Sequence, residues 1–185
     1  MLRVMSSRFN EERREIIVEA TRPEDTENLG FLLAGLVYPG AVLSLSGDLG
    51  AGKTTLTRGF SKGLGCLGAV ASPTFTLLME HPAGANGLAL YHFDVYRLDS
   101  SDAFYELGFD EYFDRDGVCI IEWGDRINDI LPPQTIHLSL TRETSAESIR
   151  QITISSLATS DLLPKLGKTI NAVQEINSPQ PKGAV

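Results

Sequence analysis

The chain has 185 residues, 42% of them hydrophobic, which suits one domain with a sizeable core and argues against global disorder. Its formal net charge of −8 argues against a domain that grips a nucleic-acid backbone unaided, while leaving room for basic protein partners. No apolar run is long enough to span a bilayer, and Arg3, Arg8, Arg13 and Arg14 are not followed by the apolar block of a secretory signal, so a cytoplasmic protein is expected.

Residues 1–14 are polar and read as a flexible N-terminal extension. A strand is expected over Glu15 to Ala20, through Ile16, Ile17 and Val18. Thr21 or Pro23 then opens a helix whose Leu29, Leu32, Leu33 and Leu36 recur at three- and four-residue steps. Pro39-Gly40 ends it and turns into the short apolar run Ala41 to Ser46.

Gly47-Asp48-Leu49-Gly50-Ala51-Gly52-Lys53-Thr54 follows, a full match to the phosphate-binding pattern G-x-x-x-x-G-K-[ST]. Residues 53–64 then have helical spacing, with Leu56, Phe60 and Leu64 on one face. A glycine loop between a strand and a helix is the setting the motif needs. Gly47, Gly50 and Gly52 permit positive φ, so successive N–H groups can surround a phosphate at the positive end of the new helix. Lys53 adds a cation for the β- and γ-phosphates, and the Thr54 hydroxyl is placed to ligate Mg²⁺. Asp48, Leu49, Gly50, Ala51, Gly52, Lys53, Thr54 and Thr55 are the expected ATP-binding residues.

After glycines 63, 65 and 68 comes Ser72-Pro73-Thr74-Phe75-Thr76-Leu77, in which the residues after Pro73 read as a strand. Its hydroxyls either reach a γ-phosphate or its Mg²⁺, as switch segments do, or line a sheet edge facing water. A turn at Pro82 to Gly87 leads to a second run, Leu88 to Leu98. Asp94 lies in its aromatic half, where a carboxylate is costly unless it is paired, metal-linked or catalytic. Arg97 offers an ion pair as the plain alternative. Ser100 or Ser101 caps a short helix, a second helical piece spans about Asp110 to Phe113, and Val118 to Trp123 is a strand ending in Glu122. An acid in that place is either presented at the strand edge beside the phosphate loop or a surface group. Trp123 stacks on a nucleotide or a partner, or packs in the core.

Asp125 to Leu131 reads as a short helix stopped by Pro132-Pro133, and Thr135–Thr141 and Ile149–Ser155 as a hairpin over a loop near Ser145. The domain is thus bounded at 15–156. Residues 157–185 read as a partly disordered tail, with a frayed helix over Ser160 to Val173 and disorder over Ser178 to Val185. A chain cut after Ser155 is therefore expected to keep ATP binding. Cys66 and Cys119 make no disulfide framework, and His81, His92 and His137 show no metal-ligand spacing and read as structural or solvent-facing.

GDLGAGKTTLTRGF at 47–60, SPTF at 72–75, YHFDVYRL at 91–98, ELG at 106–108 and IEWGDR at 121–126 together resemble the TsaE family over about residues 15–155. The resemblance implies an α/β fold, a single-domain P-loop NTPase with a mixed central sheet flanked by helices. It implies an Mg²⁺-dependent ATPase of tRNA threonylcarbamoyladenosine biosynthesis. Such a protein supports turnover of the TsaB and TsaD partners, meets tRNA only through that complex and has no membrane role. It matches Lys53 and Thr54 to phosphate and Mg²⁺ residues, Asp94 and Glu122 to functional acids, and Trp123 to a motif tryptophan. The segment Ser145–Arg150 lacks the Gly-Arg pair of some relatives, so Arg150 is given no ATP contact.

The expected catalytic set is Lys53, Asp94 and Glu122, with Thr54 and Glu122 on the metal and Asp94 on the attacking water. The two acids are interchangeable at this level. An arginine finger comes from Arg97 or from a partner. A small-molecule P-loop kinase and a nucleotide-binding assembly factor with little hydrolysis are the rival readings.

Overall fold

The computed structural model describes residues 1–68, 70–84, 87–143 and 146–177. The elements run β1 (Leu2–Phe9), β2 (Arg13–Ala20), α1 (Pro23–Ala34), β3 (Val42–Ser46), α2 (Lys53–Leu64), β4 (Leu78–His81), β5 (Leu90–Asp94), α3 (Ser101–Glu106), β6 (Val118–Glu122), β7 (Ile136–Glu143), β8 (Ala146–Leu157) and α4 (Leu162–Asn177). Short 3₁₀ turns cover Phe109–Asp114 and Gly124–Ile127.

All strands join one 8-stranded mixed sheet in the order β1-β2-β8-β7-β3-β6-β5-β4. Strands β7, β3, β6 and β5 pair in parallel, and the remaining pairs are antiparallel. The parallel strands are the most apolar because both their faces are covered. Along β6, Val118 and Ile120 enter the core with α1, α2 and α4, while Cys119 and Ile121 enter the opposite core with Phe93, Phe104 and Ile127. That alternation gives the layered α/β architecture expected from the sequence. Helices α1 and α2 touch backbone to backbone: a methyl at Gly30 would collide with the Leu56 carbonyl, and one at Gly59 with the Glu27 carbonyl. Burial pushes the Cys119 thiol up to about 12, so it is an inert core group.

Both expected margins of the domain differ. Residues 1–14 are not a flexible extension: Leu2–Phe9 is the edge strand β1, antiparallel to β2. Arg3 alternates with Leu2 and Val4, which pack against the main core. Beyond residue 157, Leu162–Asn177 is a helix of 16 residues whose Leu162, Leu163, Leu166 and Ile170 are buried. The expected disorder of Ser178 to Val185 lies outside the described residues, as do Ala85 and Asn86 of the Pro82–Gly87 turn and the loop tip at Ser145.

Smaller differences concern the site. The stretch after Pro73 is a turn, with the Thr76 and Leu77 N–H groups on the Pro73 carbonyl, and strand β4 starts only at Leu78. The run 88–98 is a strand only as far as Asp94. The helix expected over Asp125 to Leu131 is confined to the 3₁₀ turn Gly124–Ile127.

Candidate nucleotide-binding site

The register of the parallel strands assembles the site. Glu122 pairs with Leu45 on β3 and with Asp94 on β5, so the phosphate loop and both acids share one C-terminal sheet edge. A cavity of about 340 Å³ opens there. It is lined by Leu49, Gly50, Gly52, Lys53, Thr54 and Thr55 of the loop, by Ser72 and Thr74, and by Asp94, Tyr96, Glu122 and Trp123. Asp48 and Ala51 do not line it: the Asp48 carbonyl accepts the Ala51 N–H at 3.0 Å inside the loop.

Gly52 has φ 112°, which a side chain would strain, and it leads straight into α2. Lys53 is only 5% exposed. Its ammonium donates to the Gly47 carbonyl at 2.6 Å and the Asp48 carbonyl at 3.0 Å, and lies 3.6 Å above the Trp123 ring. Burial pulls the Lys53 ammonium below its ordinary value, against the opposing charges of Glu122 and Asp94. The Thr54 hydroxyl donates to Glu122 Oε2 at 2.9 Å.

Asp94 is buried at 2% exposure, and its burial is offset by hydrogen bonds. Oδ2 accepts from Ser72 Oγ at 2.7 Å and Thr74 Oγ1 at 2.5 Å, and Oδ1 from the Tyr96 backbone N–H at 3.1 Å. The Ser72 and Thr74 hydroxyls thus face the site through Asp94, not a sheet edge, while the Thr76 hydroxyl donates to the Pro73 carbonyl at 3.5 Å. The Asp94–Arg97 ion pair is not formed: Arg97 lies 4.3 Å over the Phe75 ring instead. Trp123 has φ 63°, an uncommon conformation for a large side chain, and its ring rests on Lys53 and tilts against Tyr96 at 4.9 Å.

Three residues near the site were assigned no functional role from sequence, with His92 read as structural or solvent-facing and Arg150 given no ATP contact. His92, fully buried on β5, holds Glu122 Oε1 at 2.9 Å through Nε2. Its two-residue spacing from Asp94 put both on one strand face, a signal that a search for metal-ligand spacing passes over. Arg142 and Arg150 are direct partners across β7 and β8. Arg142 donates to the Leu49 carbonyl at 2.9 Å, and Arg150 Nε to the Ala51 carbonyl at 3.0 Å. A trans peptide points its N–H opposite to its carbonyl, so this contact turns the Gly52 N–H away from Arg150.

These residues fit a magnesium nucleotide. The loop offers N–H donors and a desolvated cation to phosphates, and the joined Thr54 hydroxyl and Glu122 carboxylate are hard oxygen donors suited to Mg²⁺. Among the described residues no cluster of three or more His, Cys, Asp or Glu is arranged to hold a metal ion unaided. Such an ion would complete its shell with phosphate and water.

The model of the family "Threonylcarbamoyl adenosine biosynthesis protein TsaE" matches residues 20–152. The chain belongs to the TsaE family. It is 45% identical over 135 residues to the Bacillus subtilis (strain 168) tRNA threonylcarbamoyladenosine biosynthesis protein TsaE, covering 73% of this chain and 82% of that protein. The Streptomyces coelicolor TsaE is 41% identical over 132 residues, 70% of this chain and 88% of that one. The crystal structure of Bacillus subtilis YdiB superposes with a TM-score of 0.70 at 35% identity, over 88% of this chain and 97% of that one. TsaE membership agrees with the P-loop fold and the mixed sheet. Among the described residues no helix is long and apolar enough to cross a membrane.

Proposed function

We propose that this chain binds and hydrolyses ATP with Mg²⁺, and that this ATPase cycle serves tRNA threonylcarbamoyladenosine biosynthesis by supporting turnover of TsaB and TsaD in the cytoplasm. One observation supports it above the rest: Lys53, the Thr54–Glu122 pair and Asp94 meet around a single cavity in a chain of this family. The loop N–H groups and Lys53 bind the phosphates, and Lys53 exchanges the Gly47 and Asp48 carbonyls for phosphate oxygens. Thr54 and Glu122 hold the metal, which when bound neutralises charge on the phosphates. Asp94 orients the attacking water and accepts its proton. Ser72 and Thr74, already on Asp94, bring the hydroxyl segment to the same place. With Arg97 against Phe75, the stabilising arginine is assigned to a partner, which makes the isolated chain a slow ATPase.

The test is release of inorganic phosphate from Mg·ATP by the chain alone and with TsaB and TsaD added in turn. Slow release that rises with the partners is the expected result; no release in the full mixture overturns the proposal. Thr54→Ala is expected to weaken Mg²⁺-dependent nucleotide binding by roughly tenfold and to leave binding in EDTA unchanged, since it removes one oxygen ligand of the ion. A magnesium titration identical to that of the wild type strikes Thr54 from the metal site. Arg150→Ala is expected to weaken nucleotide binding by about tenfold, because the loop carbonyls of Ala51 and Gly50 lose their tether, and to lower the melting temperature by a few degrees, because those bonds are intramolecular. Unchanged affinity by calorimetry would show that the loop holds its shape without the arginine.

A further inference from the structure

We propose that His92 is the positioning residue for Glu122: it fixes one carboxylate oxygen so that the other stays on Thr54. The inference rests on the metal-site reading above and deepens it.

The geometry is a chain of three side chains from three elements. His92 Nε2 lies 2.9 Å from Glu122 Oε1, and Glu122 Oε2 lies 2.9 Å from Thr54 Oγ1. Glu122 pairs with Asp94, and His92 with Ile120, so the imidazole sits one strand over and two residues back from the carboxylate, on the same sheet face. An ionised carboxylate only accepts hydrogen bonds, so the bond places the ring proton on Nε2. A carboxylate held at one oxygen loses its freedom to rotate, and its second oxygen keeps a fixed aim. Without His92, Glu122 would have Thr54 as its single side-chain tether among the described residues.

A fold-only role leaves the polarity of His92 unexplained. The ring is fully buried, and its Nδ1 has no hydrogen-bond partner among the described residues. His81, diagonal to it across β4 and β5, also has an unpartnered ring nitrogen, so the two rings do not bond to each other. A leucine would fill the same site without a stranded nitrogen. The one polar contact of the ring within the described residues is Glu122.

The test compares two amides that differ by a methylene. His92→Gln puts an N–H donor near the place of Nε2, while the shorter His92→Asn falls short of Glu122. Binding of a fluorescent ATP analogue is titrated against Mg²⁺ and repeated in EDTA, with melting temperatures taken in parallel. The Mg²⁺ half-point is expected to rise roughly 10- to 100-fold in His92→Asn, the usual cost of losing a group that orients a metal ligand, and to return to within a few-fold of wild type in His92→Gln. Binding in EDTA is expected to stay within about twofold for both. His92→Leu, which buries no amide, is the second variant and is expected to follow His92→Asn. A wild-type half-point in folded His92→Asn or His92→Leu overturns the inference while leaving the metal site in place. Equal impairment of His92→Gln and His92→Asn, in EDTA as in Mg²⁺, also overturns it, because it marks a structural role. If wild-type binding itself ignores Mg²⁺, the metal-site reading falls and the inference falls with it.

Discussion

Asp94→Asn is expected to keep nucleotide binding and to lower phosphate release by roughly a hundred- to ten-thousand-fold, the usual span for loss of a general base. The fold has little reason to change. The Asn carbonyl still accepts the Tyr96 N–H, and the Ser72 and Thr74 hydroxyls, 2.7 Å from each other, can turn to accept from the amide. In the proposed mechanism, what disappears is the charge that takes the proton of water. Affinity is expected to hold or rise, because a negative group facing the phosphates is gone. A purely structural Asp94 predicts the reverse: normal turnover with a lowered melting temperature. Nucleotide affinity, phosphate release and melting temperature on this one variant separate the two, and normal turnover would leave Glu122 as the only acid in the mechanism.

The parts of the site that are local in the chain were legible in the sequence. The phosphate loop carries its own geometry in its glycines, and its strand and helix lie on either side of it. Asp94 and Glu122 stood out because each follows an apolar run, where an acid is expensive. Their meeting beside the loop is expected from the strand-edge rule and the family resemblance, but the strand order that produces it, with β5, β6 and β3 side by side, was not legible, because strand order is a long-range property. The same holds for the Arg142 and Arg150 contacts with the loop, which cross 93 and 99 residues of sequence. Asp94 with Ser72 and Thr74 joins two segments that the sequence reads as separate strands. At the two ends of the chain the N-terminal strand was missed, and the helix expected over Ser160 to Val173 is present as α4 but its packing into the core was not foreseen. Charge density hid the Leu2 and Val4 alternation of β1, and Pro164 and Gly167 hid the apolar stripe of α4. Proline is tolerated in the first turn of a helix, and one glycine costs about 1 kcal/mol, less than the stripe returns on burial.

Removal of α4 is the change expected to do most damage to the fold. A chain ending at Leu157 loses Leu162, Leu163, Leu166 and Ile170, all buried in the core that also holds Ile16, Val18, Ile152 and Ile154. Burying one such side chain stabilises by about 1.5–3 kcal/mol, so the four together supply on the order of 6–12 kcal/mol. The outer sheet strands β1, β2 and β8 would lose their cover on that face, since α4 packs on each of them. The truncated chain is therefore expected not to fold cooperatively, and to lose nucleotide binding as a consequence, whereas the sequence reading expects a chain cut after Ser155 to keep it. Leu166→Ala gives a graded version that should still fold: a fully buried leucine cut to alanine costs about 2–5 kcal/mol. Denaturant unfolding followed by circular dichroism measures both. If the truncated chain melts within a few degrees of the full one and still binds nucleotide, α4 is dispensable and the core closes without it.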